Sequence, residues 1–244
     1  MLKAIIFDCD GVIVDSEPLH LKTFQMTLAQ EGISITKAEY DATYLAMDDK
    51  GCFEAVLAAH HRPIDKTTIK RLIHQKMALY RDFSRQELHI YPGVFELVTS
   101  ITGRYYLAIA SGAFRGEIKF ALEQAGIRSA FPVIVSAQDV KQGKPNPESF
   151  LTALAKLNQR YYSLISPIRN LAPPGAGAPL ITPDECVVIE DSVHGVKAAR
   201  SAGMKSVAVT HSYPRELLLP FTDFVVDSLT QLTLHDLENL CRTN

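Results

Sequence analysis

The apolar residues of this chain gather first into short, β-branched runs. Residues 3–7 (KAIIF) stop abruptly at Asp8, and the runs at 105–110 (YYLAIA), 186–189 (CVVI) and 206–210 (SVAVT) have the same character. Continuous apolar runs, without the alternation of a half-exposed strand, predict strands covered on both faces, as in a parallel sheet. PVIV at 132–135 and DFVV at 223–226 make a weaker pair of the same kind. Between the runs, apolar residues recur at spacings of three and four over Val94–Ile101, Phe114–Ala125 and Phe150–Leu157, which predicts helices. Strand alternating with helix predicts an α/β fold with a doubly wound parallel sheet.

Two stretches break the rhythm. Residues 16–85 hold no β-branched run, and Leu19–Glu31, Lys37–Tyr44, Gly51–His61 and Asp65–Phe83 read as helices. So many consecutive helices exceed an ordinary crossover. They predict a helical module, 16–85, inserted into an α/β core made of 1–15 and 86–244. Residues 158–183 carry five of the chain's 13 prolines, with Gly175 and Gly177 among them, and predict a long loop within the core. Such a loop joins a helix to the next strand. It should emerge at the amino ends of the strands as a flexible, non-catalytic excursion.

Composition narrows the classes without naming a function. Lys and Arg number 25, Asp and Glu 27, and the net charge of −2 offers no electrostatic case for a nucleic acid or an anionic membrane. None of the 4 cysteines, Cys9, Cys52, Cys186 and Cys241, forms a C-x-x-C pair, so zinc and dithiol chemistry lack their spacing. Buried free thiols in a reducing cytosol are the expectation, and with them a cytoplasmic location. The N-terminal apolar run is too short for a signal peptide, and no window is long and apolar enough to span a membrane.

In an open parallel sheet, ligands bind beyond the carboxyl ends of the strands, so the residues that follow each run are candidates for chemistry. After the first run stand Asp8 and Asp10, two carboxylates separated by Cys9 and followed by Gly11. After YYLAIA come Ser111 and Gly112, after CVVI come Glu190 and Asp191, and Lys144 stands in a Lys-Pro-Asn-Pro stretch before a helix. These groups suit phosphoryl transfer. Asp8 can attack phosphorus as a nucleophile, and Asp10 can protonate the leaving oxygen and then deprotonate water. Ser111 and the Gly112 N–H can hold phosphate oxygens, and Lys144 can offset the negative charge. Attack of one anion on another calls for a cation, and Mg²⁺ suits Asp8, Asp191 and the neighbouring Glu190. Singly, each residue has a plainer reading: a helix-capping acid, an N-cap serine or a solvated lysine. The four together, in this order, carry the argument.

The sequence resembles the haloacid dehalogenase-like hydrolases, in the branch of β-phosphoglucomutase and small sugar-phosphate phosphatases. The matching residues are FDCDGVIVDSE at 7–17, SG at 111–112, GKPNPESF at 143–150 and VIEDSVHGVKAARSAGM at 188–204. The resemblance implies a Rossmann-like core, a helical cap between the first and second motifs, and Mg²⁺. It assigns Asp8 as nucleophile and Asp10 as acid/base, and it places Mg²⁺ on Asp8, the backbone carbonyl of Asp10, and Asp191. The dehalogenases and the phosphonate-cleaving relatives lack the second acid, so Asp10 argues for a phosphate ester.

The resemblance also places His20 and Lys76 among cap residues that face the substrate. The mutases carry a basic, hydroxyl-bearing loop of the type Gly-Val-Ser-Arg for a second phosphate. Here the corresponding stretch is 45–51, with Asp48 and Asp49 before Lys50. Adjacent carboxylates oppose a bisphosphate. The expectation is therefore a phosphatase acting on a small phosphate ester, with Lys50 the remaining basic candidate. A phosphosugar mutase and a non-catalytic phosphosugar sensor are the alternatives. A monomer or weak homodimer is expected.

Overall fold

The structure, a computed structural model, describes residues 1–45, 47–169 and 180–242. Ala46 of the 45–51 stretch, and residues 170–179 of the proline-rich stretch, lie outside the described residues. The chain divides into two units, Met1–Asp15 with Ile90–Asn244, and Ser16–His89.

The first unit is an α/β sheet structure. Its main strands are β1 (Ala4–Phe7), β4 (Tyr106–Ala110), β5 (Val133–Val135), β6 (Cys186–Glu190), β7 (Lys205–Val209) and β8 (Phe224–Val226). Two short strands, β2 (Val14–Asp15) and β3 (His89–Ile90), pair separately. The six-stranded sheet has the order β5-β4-β1-β6-β7-β8, and all its pairings are parallel. Each apolar run singled out in the sequence is a strand of this sheet. Every residue of β1 and of β6 is buried, because helices cover both faces. One core holds Ile6, Ala108, Val135 and Val188 against Phe150 and Leu157.

The helices of this unit are numbered after the four of the other unit. They are α5 (Val94–Ile101), α6 (Arg115–Gln124), α7 (Glu148–Arg169), α8 (Val193–Ser201), α9 (Arg215–Leu218) and α10 (Leu234–Leu240). The loop expected from residue 158 is corrected, since α7 runs on to Arg169. The apolar spacing of three and four in fact continues past Leu157 through Tyr161, Leu164 and Ile168, and the prolines downstream hide it. The ring of Tyr161 meets Tyr106 edge-on with centroids 5.2 Å apart. The Asn158 amide donates to the Ile181 carbonyl at 2.9 Å and accepts from its N–H at 2.8 Å. Residues 180–185 then lead into the amino end of β6, where Lys3 pairs with Glu185 at 2.7 Å.

The second unit is helical: α1 (Glu17–Ala29), α2 (Lys37–Glu39) continued by a π-helical turn (Tyr40–Tyr44), α3 (Asp49–Ala59) and α4 (Lys66–Glu87). Phe24, Leu28, Phe53 and Leu72 centre its own core, with the Phe24 and Phe53 rings 4.5 Å apart. Side-chain caps set the helix starts. Asp48 accepts from the Gly51 N–H at 2.7 Å, and Asp65 accepts from Thr67 and Thr68 N–H groups at 2.9 Å each. Asp48 is thus occupied as a helix cap.

Candidate active site

Parallel register brings the candidate residues to one end of the sheet. Phe7 of β1 stands level with Ile109 of β4 and Ile189 of β6, so Asp8, Ala110 and Glu190 share the next row. The ladders extend past the strands: the Asp8 N–H donates to the Ile189 carbonyl at 2.9 Å, and the Ser111 N–H to the Val135 carbonyl at 3.0 Å. Asp8, Glu190 and Asp191 are 8 %, 0 % and 5 % exposed. One carboxylate oxygen from each of the three lies within 4.8 Å of the others.

Lys144, from the loop before α7, joins this cluster. Its Nζ lies 2.8 Å from Asp8 Oδ2 and 2.6 Å from Glu190 Oε1. The loop that aims it is closed by its own side chains. The Glu148 carboxylate accepts from the Lys141 and Gln142 N–H groups at 3.0 and 2.9 Å, and Asn146 Oδ1 accepts from the Glu148 N–H at 3.0 Å. The Lys144–Pro145 peptide is cis. Lys144 is therefore not a solvated loop lysine: its side chain is 12 % exposed, and its head lies between two carboxylates.

Glu190 is fully engaged. Its Oε1 takes Lys144, and its Oε2 accepts from the Asp191 and Ser192 N–H groups at 2.8 Å each and from Ser192 Oγ at 3.0 Å. Asp191 accepts from Ser212 Oγ through Oδ2. Gly11 makes room for that carboxylate. Its φ of +72° suits glycine, and a Cβ there would lie 1.8 Å from Asp191 Oδ2.

The electrostatics follow from this burial. Desolvation pushes the Asp8 carboxyl up to about 7; the charge of Lys144 works against the rise, and the charge of Glu190 adds to it. Asp191 is raised well above the ordinary range by burial and by the charges of Glu190 and Asp8. For Glu190, burial also acts upward, but the charge and hydrogen bond of Lys144 outweigh it and leave the group lowered. Desolvation would depress Lys144, yet Asp8 and Glu190 hold it above its ordinary value. When ionised, three carboxylates against one ammonium leave an excess of two negative charges in a buried, all-oxygen cluster. A hard divalent cation fits that donor set.

Ser111 is buried, and its Oγ accepts from the Ala113 N–H at 3.1 Å. It does not cap α6, whose first turn is closed by Glu117 accepting from the Phe114 N–H at 3.0 Å. Its own O–H remains for a donor role. A Cβ on Gly112 would meet nothing within 4 Å, so the open space there is compatible with an approaching ligand and does not itself demand glycine. Asp10 lies in the tight turn after β1, where the Val12, Ile13 and Val14 N–H groups all point to the Cys9 carbonyl.

In the helical unit, His20 and Lys76 come together and Lys50 does not join them. Lys76, 3 % exposed, pairs with Asp49 and lies 2.9 Å from His20 Nδ1, while the His20 ring stacks on Tyr80 at 4.5 Å. An ammonium can only donate, so His20 Nδ1 accepts. Burial first, and then the charge of Lys76, push the His20 imidazolium well below its ordinary pKa. Lys50 forms an exposed pair with Glu54 at 3.5 Å.

Reading the residues after each run overlooks His211 and Ser212, although the same rule reaches them past β7. Ser212 holds Asp191, and His211 Nδ1 lies 2.7 Å from the Gly11 carbonyl with its ring stacked on Tyr91, centroids 3.7 Å apart.

Among the described residues no helix is long and apolar enough to cross a membrane, and all four cysteines are buried and free. The chain is 27 % identical over 214 residues to a phosphorylated carbohydrates phosphatase of Thermotoga maritima, covering 86 % of this chain and 87 % of that protein. It is 27 % identical to a fructose-1-phosphate phosphatase of Escherichia coli, covering 84 % and 95 %. Among solved structures it is similar to CbbY of Rhodobacter sphaeroides in complex with phosphate, with a TM-score of 0.79, 25 % identity and coverage of 98 % and 100 %. A β-phosphoglucomutase of Clostridium difficile shares the fold, with a TM-score of 0.78, 24 % identity and coverage of 99 % and 97 %. The family profile matches residues 5–209, and the chain belongs to the haloacid dehalogenase-like hydrolases.

Proposed function

We propose that this phosphatase hydrolyses a small phosphorylated carbohydrate through an aspartyl-phosphate on Asp8, with Mg²⁺ as cofactor. The observation that carries the reading is Lys144, held between Asp8 and Glu190 beside Asp191. An Asp8 carboxylate oxygen forms the bond to phosphorus as the ester P–O bond breaks, and Asp10 gives the leaving oxygen its proton. Asp10 then takes a proton from water, which attacks phosphorus, releases phosphate and restores Asp8. Lys144 balances the nucleophile, while the Ser111 O–H and the Gly112 N–H hold phosphoryl oxygens. Asp8, Asp191 and the Asp10 backbone carbonyl would hold the Mg²⁺, which supplies charge neutralisation between carboxylate and phosphate. Glu190, with both oxygens hydrogen-bonded, serves as the anchor of Lys144 at the edge of this group.

The cations of the helical unit favour a monophosphate. Lys76 is neutralised by Asp49, and Lys50 is paired with Glu54, so neither offers an unmatched charge for a second phosphate. Phosphate release from p-nitrophenyl phosphate and a panel of sugar phosphates tests the reading. It should require Mg²⁺ and vanish in Asp8→Asn. Release that survives Asp8→Asn would overturn it. Conversion of β-glucose 1-phosphate to glucose 6-phosphate, primed by the 1,6-bisphosphate and without net phosphate release, would replace it by a mutase.

A further inference from the structure

The turn after β1 is held from outside as well as from within. Internally, the Gly11 N–H donates to the Val14 carbonyl at 2.8 Å, and three N–H groups converge on the Cys9 carbonyl. The Gly11 carbonyl takes no part in that set and meets His211 Nδ1 at 2.7 Å. A carbonyl oxygen has no proton to give, so Nδ1 carries the proton and donates. Tyr91 lies almost parallel to the His211 ring, at 12° and 3.7 Å between centroids, and packs against one of its faces. Tyr91 is itself tied to the same turn, its N–H donating to the Ile13 carbonyl at 3.1 Å.

This arrangement answers a weakness of the turn. Gly11 must be glycine, since its φ is +72° and a Cβ would collide with Asp191. The same freedom leaves the backbone next to Asp10 soft. A bond to the Gly11 carbonyl removes that softness at the residue that follows Asp10. Ser212, the next residue in the chain, holds Asp191 through Oδ2. One loop after β7 thus grips both the turn and the acid packed against it.

We propose that His211 is a positioning residue of the reaction: by donating to the Gly11 carbonyl and stacking on Tyr91, it holds the turn that aims Asp10 as proton donor. The proposal rests on the acid/base reading of Asp10 given above. His211→Phe keeps a ring on Tyr91 and removes the donor, whereas His211→Asn can place an amide N–H near the position of Nδ1.

The readout is kcat/KM on two esters. Phenyl phosphate has a leaving group that needs a proton, and p-nitrophenyl phosphate has one that does not. General acid catalysis is worth roughly 10²–10⁴ in rate, and a misaimed acid loses part of it. His211→Phe should therefore lose about tenfold on phenyl phosphate and under threefold on p-nitrophenyl phosphate, and His211→Asn should recover most of the loss. Equal losses on both esters, no loss on either, or no recovery in His211→Asn would overturn the proposal. Wild-type protein inactive on both esters, or activity retained in Asp8→Asn, would defeat the reading of function instead. Hydrogen exchange at residues 9–14 then still decides the contact: it should quicken in His211→Phe, and unchanged exchange there overturns the proposal.

Discussion

Replacing Gly195 by alanine should destabilise the protein, although alanine is the better helix former. Gly195 lies in α8, where the change from glycine would ordinarily gain about 1 kcal/mol. Here an added Cβ would lie 1.7 Å from Glu190 Oε1 and 1.8 Å from its Cδ. The Glu190 side chain is 0 % exposed and cannot step aside into solvent. To admit the methyl group it must give up Lys144, 2.6 Å away, or the three donors on Oε2. Breaking a buried ion pair costs roughly 3–5 kcal/mol, since it strands a charge. Against the helix gain, the net loss is about 2–4 kcal/mol. For a domain of this size that lowers Tm by roughly 5–15 °C. The assay is thermal unfolding followed by circular dichroism in buffer with EDTA, so that metal binding does not enter. An alanine variant as stable as the wild type, or more stable, would refute the steric argument and with it the view that Glu190 is locked against α8.

Other outcomes follow from the same geometry. The low pKa of His20 makes stability of the helical unit fall as pH drops below the unfolded value of 6.5, because the unfolded chain then binds a proton that the folded ring refuses. Urea unfolding should lose about 1.4 kcal/mol between pH 7.5 and 5.5, and His20→Asn, which keeps an acceptor near Nδ1, should remove that slope; a slope unchanged in the variant would assign it elsewhere. Ser212→Ala removes the donor on Asp191 and should raise the Mg²⁺ needed for half-maximal phosphate release roughly 10–100-fold, with the rate at saturating Mg²⁺ largely kept. An unchanged Mg²⁺ requirement would free Ser212 of that role. Phe53→Ala empties the centre of the helical core, where Phe53 is 0 % exposed, and should cost about 3–5 kcal/mol by denaturant titration. A loss below about 1 kcal/mol would mean that the site collapses around the gap.

The strands and most helices were legible because burial on both faces leaves a local trace, a short apolar run, and because the helices between them keep their period. Where structure depends on a distant partner, the trace is missing or masked. The apolar spacing of α7 runs on past Leu157 through Tyr161, Leu164 and Ile168, but the prolines and glycines that follow mask it, and the contacts of Tyr161 with Tyr106 and of Asn158 with Ile181 come from residues far away in the chain. Asp48 and Asp49 read as a pair of acids, yet one caps α3 and the other neutralises Lys76. The sequence shows their charge, and only the fold shows how that charge is matched. Lys144 is the converse case. It stands alone before a proline, and its importance appears when β1 and β6 bring Asp8 and Glu190 into one row.

His211 and Ser212 stand just past the apolar run at 206–210, yet their role shows only in the fold. Each of Asp8 and Ser111 follows directly on its strand, and Glu190 closes one. In β7 the register sets Glu190 against Ala208, so Val209 stands level with Asp191 and the strand ends there. Thr210 still continues the ladder, its N–H donating to the Val226 carbonyl at 3.0 Å and its hydroxyl to Asp227 at 3.0 Å. Only the two residues after it turn inward, His211 to Gly11 and Ser212 to Asp191. The apolar run at 206–210 already ends at Thr210, so His211 and Ser212 follow it directly; nothing in an imidazole and a hydroxyl there shows in advance the carbonyl and the carboxylate that they meet. Fixing the approach of Asp191 to the glycine turn takes groups from beyond both, and the loop after β7 is where the sheet order β1-β6-β7 places them.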